Sequence, residues 1–280
     1  MTTRSVIGLY TFIVAAIALT AAPADAQFAK RTLNDPATGE TYHIEASAGF
    51  WSPTADMSIS SESLGIPGST IDFKNDLGLT DQRFPELHVV LRPGKKQKFR
   101  FQYIPITYDQ THTLTRQITF NGQLYTVGIP VHSTLAWKAY RFAYEYDFLY
   151  KNRWFAGFIL EAKYTDVLAT LATAPNASGS SINEFAHAQA PIPAIGGIVR
   201  VYVVPNISIT GEVSGVKIPD SVSAKYKAHY ADIDVYGTLN FVNNAGVQVG
   251  YRSFDVGYLV NHDTGSFVLK GLYFGAVARF

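Results

Sequence analysis

The chain has 280 residues, a net charge of +1 and no cysteine. A charge so near zero offers no bulk attraction for nucleic acid, and without thiols there are no disulfides, thiolate nucleophiles or cysteine metal sites. Charged residues make up 16%, below the ~25% common in soluble domains, beside 17 Tyr and 18 Phe, a balance that suits a surface facing something other than water.

Residues 6–20, VIGLYTFIVAAIALT, form the one long apolar run. Arg4 precedes it and Ala24-Asp25-Ala26 follows, which is the layout of a secretory signal peptide, residues 1–26, cleaved after Ala26. The run is short for a membrane-spanning helix, which needs ~20 residues. No cysteine follows it, so the leader is not of the lipoprotein type. Residues 27–40, QFAKRTLNDPATGE, read as a flexible periplasmic N-terminal segment with a short plug as the alternative.

From residue 41 onward, patterns of period 3.6 are scarce and patterns of period two recur. In 41–51 the apolar set is Tyr42, Ile44, Ala46, Ala48 and Phe50. Further alternating runs fall at 86–92, 98–105, 134–148, 154–165, 193–204, 206–216, 229–242, 246–254 and 267–280, which makes ten candidate strands. The connections sort by length: short ones at 93–96, 150–152, 205–206 and 243–246 alternate with long ones at 53–83, 109–131, 169–190, 217–228 and 255–266. Soluble sandwiches have no reason to sort in this way, whereas transmembrane barrels pair short periplasmic turns with longer extracellular loops. Asn121-Gly122 inside 114–130 is a hairpin signal, predicted to project beyond the membrane from strands three and four.

In hydrocarbon every backbone group must be satisfied internally, so the last strand is expected to pair with the first and close the sheet. The fold predicted is all-β: a transmembrane antiparallel up-and-down β-barrel of about ten strands over residues 41–280. Phe99, Tyr146, Phe148, Trp154, Phe241 and Phe280 near the turns fit an interfacial girdle on the periplasmic side.

The leader, the alternating strands, and a final strand with Leu272, Phe274, Ala276, Ala278 and Phe280 at every second position resemble the bacterial outer-membrane β-barrel proteins of Gram-negative cells. The resemblance implies export to the outer membrane. It also implies recognition of the terminal strand, Phe274 and Phe280 above all, by periplasmic chaperones and the barrel-assembly machinery.

Function then falls to the lumen and the loops. The inward register collects Glu45, Glu86, Glu145, Asp147, Glu161, Glu212, Asp232 and Asp234 against Arg92, Lys98, Arg100, Arg141, Lys163, Arg200, Arg252 and Arg279, eight of each sign. Lone charges in a confined space are costly and paired ones tolerated, so a network of ion pairs is expected. With Tyr202, Tyr236 and Tyr273 also pointing in, the lumen is expected to be narrow and mostly closed. The role expected is structural or surface interaction through the long loops, by a monomer without a cofactor. The alternative is a narrow pore for small solutes.

An outer-membrane hydrolase of protease or lipid A deacylase type ranks third. His112, His187, His229 and His262 sit in or near predicted loops, where the candidate rim cluster pairs them with Asp232 or Asp263, and no residue is given a catalytic label. His132 and Ser133 are adjacent and so face opposite ways on a strand. Asp72, Asn75, Asp76 and Asp81 have the ligand types for Ca²⁺ without EF-hand spacing and read as turn formers. Lys138, in the lipid-facing register, is placed to meet a lipopolysaccharide phosphate.

Overall fold

The computed structural model describes residues 36–62, 65–174, 181–218, 226–260 and 263–280. The signal-peptide reading, residues 1–26, lies outside them. All described regular structure is β. Ten long strands follow in order: β1 (Ile44–Ser60), β3 (Phe84–Gly94), β4 (Gln97–Thr113), β7 (Pro130–Lys151), β8 (Trp154–Thr173), β9 (Asn183–Val204), β10 (Ile207–Lys217), β11 (Tyr226–Val242), β12 (Ala245–Val260) and β13 (Asp263–Arg279). Three short ones, β2 (Ile71–Asp72), β5 (Ile118–Phe120) and β6 (Gln123–Tyr125), belong to the connections. Each long strand pairs antiparallel with the next, and β13 pairs with β1, so the sheet closes as a ten-stranded barrel. The closing seam runs from Glu45 opposite Arg279 to Ser60 opposite Thr264.

A tilted strand crosses a bilayer with about 9–11 residues. β7 and β9 have 22 each and β8 has 20, so about half of the wall stands beyond the membrane. The polarity of the two faces inverts where the wall leaves the hydrocarbon. In the half nearer the chain ends, the outer face carries Phe50, Leu87, Phe99, Phe142, Leu160, Val199, Ile209, Val235, Val249 and Leu272, all exposed. Beyond Phe50 the outer face of β1 turns to Ser52, Thr54, Asp56 and Ser58, while Trp51, Ala55, Met57 and Ile59 point inward and are buried. Tyr103, Tyr140 and Tyr164 lie side by side at this boundary, with ring centroids 4.8 and 6.4 Å apart. They form the upper aromatic girdle that anchors a barrel at the interface. Phe99, Phe148, Trp154, Phe241 and Phe280 mark the lower one.

Several sequence expectations change. The extracellular connections are shorter than 53–83, 109–131, 169–190, 217–228 and 255–266, because the strands continue into each range, through most of 169–190 and 255–266 and a smaller part of the other three. Strand one starts at Ile44 and not at 41: the chain bends at 41–43, and Tyr42 turns inward to lie buried beneath Arg92 and Arg279. The Asn121-Gly122 turn forms, both residues at positive φ (49° and 78°) as a tight hairpin turn requires. Its hairpin folds down over the barrel mouth instead of projecting, since Ile118, Phe120 and Tyr125 are apolar and become fully buried there.

Candidate functional site

The interior has two storeys. In the lower one, the inward residues of neighbouring and opposite strands form an alternating chain of charge. Asp147 meets Lys98 at 2.9 Å, Lys98 meets Glu145 at 2.5 Å, and Glu145 meets Arg100 at 2.6 Å. Arg100 reaches across the lumen from β4 to Glu212 on β10 at 2.9 Å, and Arg141 on β7 bridges Glu212 and Glu161. Glu161 accepts hydrogen bonds from the Tyr230 and Ser214 hydroxyls at 2.8 and 2.9 Å. Asp232 is held by Lys163 at 3.0 Å and Arg252 at 2.5 Å, and Arg252 crosses from β12 to Glu86 on β3 at 3.3 Å. Arg279 pairs with Glu45 at 2.5 Å across the closing seam.

The structure therefore brings fifteen of the sixteen inward charges into ion pairs. The exception is Asp234, which accepts a hydrogen bond from the Tyr273 hydroxyl at 2.9 Å and has no ion pair among the described residues. Buried charges are tolerated when paired and further hydrogen-bonded, and pairs spanning opposite walls fill the lumen they cross.

Sequence reasoning missed a ninth acid. Glu40 belongs to the predicted flexible lead-in, but residues 38–40 are fixed inside the periplasmic mouth. Its carboxylate takes Arg200 at 3.0 Å, Arg92 at 3.2 Å and the Tyr202 hydroxyl at 2.8 Å. The Thr38 amide donates to the Pro205 carbonyl at 2.7 Å, and the Asn240 side chain donates to the Thr38 carbonyl at 2.7 Å. The available signal was a local excess of base at this end of the lumen: Arg92 and Arg200 have no carboxylate partner other than Glu40 among the described residues.

The upper storey is apolar. Trp51, Met57, Ile59, Ile104, Ile106, Tyr108, Leu135, Trp137, Phe254, Phe267 and Leu269 form one buried cluster. Its roof is the segment between β1 and β3, through Ile71, Phe73, Leu77 and Leu79, and the β5–β6 hairpin, through Ile118, Phe120 and Tyr125. The roof is tied together by polar bonds: the Ser69 amide donates to the Thr119 carbonyl at 2.9 Å, Tyr125 donates to the Leu171 carbonyl at 3.0 Å, and Arg116 Nε donates to Asp76 at 2.6 Å. Burial pushes the Asp76 carboxyl up, but the hydrogen bonds from Arg116 outweigh it and hold the group below its ordinary value. A cavity of about 10 Å³ separates the storeys, lined by Trp137, Arg141, Lys163, Arg252 and Phe254, room for about one water.

The other candidates disperse. Asp72 accepts from the amides of Lys74 and Asn75 at 2.9 and 2.8 Å, Asp76 is taken by Arg116, and Asp81 accepts from Thr54 at 3.1 Å, so the four Ca²⁺ candidates act as turn formers and latches. Asp232 lies deep in the lumen, away from any rim histidine. His187 pairs with Asp166 at 2.7 Å, His229 with Asp255 at 3.1 Å and His132 with Asp109 at 3.6 Å, on three separate strand pairs of the outer wall. His112 packs over Gly78, and His262 lies outside the described residues. Phe274 and Phe280 face outward, 48% and 72% exposed, as does Lys138, opposite Asp166.

This closed ten-stranded barrel, greasy outside and ion-paired within, has the fold of the bacterial outer-membrane β-barrels. The outer-membrane protease OmpT of Escherichia coli is similar to it, with a TM-score of 0.56 and 10% identity over 89% of this chain and all of that one. Lower likenesses, too weak in shape to bear on this chain, are to a FadL homologue of Pseudomonas aeruginosa (TM-score 0.39, 9% identity, 82% of this chain and 66% of that one) and to Ail, the attachment invasion locus protein of Yersinia pestis (0.33, 11%, 85% and 97%). No family model and no curated protein matches the sequence.

Proposed function

We propose that the chain resides in the bacterial outer membrane as a sealed barrel that presents a rigid, folded surface to the exterior. The observation that carries this reading is double closure. Ion pairs cross the lower lumen from wall to wall, Glu40 ties off its periplasmic end, and the apolar roof fills the outer mouth. A conducting pore needs a continuous wet path, and rings of one sign when it selects ions; this interior has neither among the described residues.

The presented surface is the roof and the wall above the girdle. Ile66, Leu124 and Val127 are exposed on it, at 44%, 47% and 59%, beside polar neighbours. Folded elements on a rigid scaffold commonly carry binding, and these three residues are where a partner would be engaged. In this reading the further partners are outer-leaflet lipid and lipopolysaccharide against the outer wall, and chaperones and assembly machinery at the terminal strand. We assign no catalytic role, because the three His–Asp pairs are scattered over the outer wall and do not converge on one another.

Planar-bilayer recording of the purified full chain tests the reading. The expected result is the absence of steady conductance; steady unitary currents would make the narrow-pore alternative correct.

A further inference from the structure

Two barrel strands are short, β3 and β10, with 11 residues each. Above β3 the wall is completed by the roof segment, whose β2 pairs with β1. Above β10 the pairing lapses. β9 pairs with β8 along its whole length, from Asn183 opposite Ala172 to Val201 opposite Trp154. With β10 it pairs only from Val204 up to Ile195, opposite Gly215. Residues 183–194 of β9 have no partner on that side among the described residues, although Val216 and Lys217 of β10 continue past the last pair.

The residues at this lapse fit an edge. Proline has no N–H for a ladder and in sheets is confined to edges, first residues and bulges; Pro191 and Pro193 stand on β9 where the partner is lost. Gly196, Gly197 and Gly215 lie at its foot, where strand glycines weaken the sheet and permit bending. A Cβ on Gly196 would fall 2.3 Å from the Val213 carbonyl oxygen, so the strands approach closely just below the point where they part.

The lapse starts at membrane level. Pro191 stands directly opposite Tyr164 of the upper girdle, and Ile195, outward and 70% exposed, lies below it. On the inner side Ile192 and Val216 pack against the apolar cluster of the upper storey. Ile192 is opposite Lys163, whose ammonium lies 4.3 Å from the Phe254 ring, and Phe254 is 5.2 Å from Trp137. At 191–194, one layer of aliphatic side chain, and no β9–β10 pairing among the described residues, therefore divides the outer leaflet from an apolar interior. We propose that the wall between β9 and β10 is a lateral portal, closed here by Ile192 and Val216, that admits a small uncharged apolar molecule from the outer leaflet into the upper storey. Apolar lining on both sides selects against charged solutes. The portal opens sideways and leaves the axial seal intact, so failure of one reading does not decide the other.

The test uses the full chain in lipid vesicles and a bilayer-soluble aryl diazirine that yields a carbene on illumination. Because the chain has no cysteine, Ile192→Cys with Val216→Cys adds the only two thiols, which a short reducible cross-linker joins. Adducts on Trp137 and Phe254, mapped by peptide mass spectrometry, are expected at least tenfold higher in the wild type and in the reduced pair than in the cross-linked pair. Interior adducts missing from the wild type, or persisting after cross-linking, would overturn the portal. Hydrogen exchange on the unmodified chain gives a second check that needs no variant. Within 183–190, the amides that point away from β8 are expected to exchange at least a hundredfold faster than the alternate ones bonded to β8; equal protection of the two sets would also overturn it.

Discussion

Phe120 is the side chain on which the outer seal most depends. It is 0% exposed, sits in a three-residue strand outside the main barrel sheet, and packs with Ile118 and Tyr125 into the apolar cluster. Phe→Ala in a packed core costs about 3–5 kcal/mol. The β5–β6 hairpin forms its own two-stranded sheet, so the loss is expected to fall on local opening of the roof and to leave global unfolding of the barrel nearly unchanged. At 1.36 kcal/mol per tenfold, the open fraction of the roof should rise by about two to three and a half orders of magnitude. Hydrogen exchange and limited proteolysis over residues 114–129, against 97–104 as an internal control, read this directly. Because the ion-paired lower lumen is a separate barrier, Phe120→Ala should still show no steady conductance. A uniform increase in exchange over the whole barrel, or the appearance of a current, would refute the division into two independent seals.

Other expectations follow from the same contacts. Asp76 is held below its ordinary value by Arg116, so the latch contributes fully above the unfolded carboxyl value and is lost as pH falls through the lower folded one. Roof exchange should therefore accelerate only in strong acid in the wild type, and the acid step should vanish in Arg116→Ala. In Glu145→Gln, Lys98 retains Asp147 and Arg100 retains Glu212, each at 2.9 Å. The cost, read from denaturant unfolding in vesicles, should lie near the low end of that for breaking a buried pair, about 3 kcal/mol; no measurable loss would mean that the network is not paired as described. Gly78 has φ of +67°, and a Cβ there would lie 2.5 Å from His112 Nδ1. Gly78→Ala should destabilise the roof segment, by about 1–2 kcal/mol from the left-handed backbone alone. Adding His112→Ala should remove the clash and leave that backbone part, which a double-mutant cycle separates.

The lower storey was legible because lipid and lumen impose opposite demands on alternate residues. Phe99, Phe101 and Tyr103 against Lys98, Arg100 and Gln102 can be read straight off the chain. The upper storey was not, although its period is the same. In 52–60, SPTADMSIS, the apolar residues are Ala55, Met57 and Ile59, and they point inward. Past the girdle water takes the place of lipid on the outer face, so the apolar set changes sides. A segment of modest hydropathy that inverts the established pattern looked like loop. The same inversion explains the roof. Phe73, Leu77, Phe120 and Tyr125 are core residues of a small water-facing structure, and nothing local shows that they fold back into the mouth. Glu40 escaped notice because a plug is defined by tertiary contacts with β3 and β9, far away in sequence. The partner lost above β10 is invisible to periodicity, and only Pro191 and Pro193 hint at it.

Single-cysteine labelling across the outer wall tests most directly that hydrocarbon ends at the tyrosine girdle and that the wall turns inside out above it. In vesicles, cysteines replacing Phe142, Leu160 and Val199 should be inert to a charged maleimide and reactive to a bilayer-soluble thiol reagent. Those replacing Thr54, Asp56 and His132 should show the reverse. Uniform reaction of both sets with the charged reagent would contradict the account, because a wall wet over its whole height cannot be a membrane barrel.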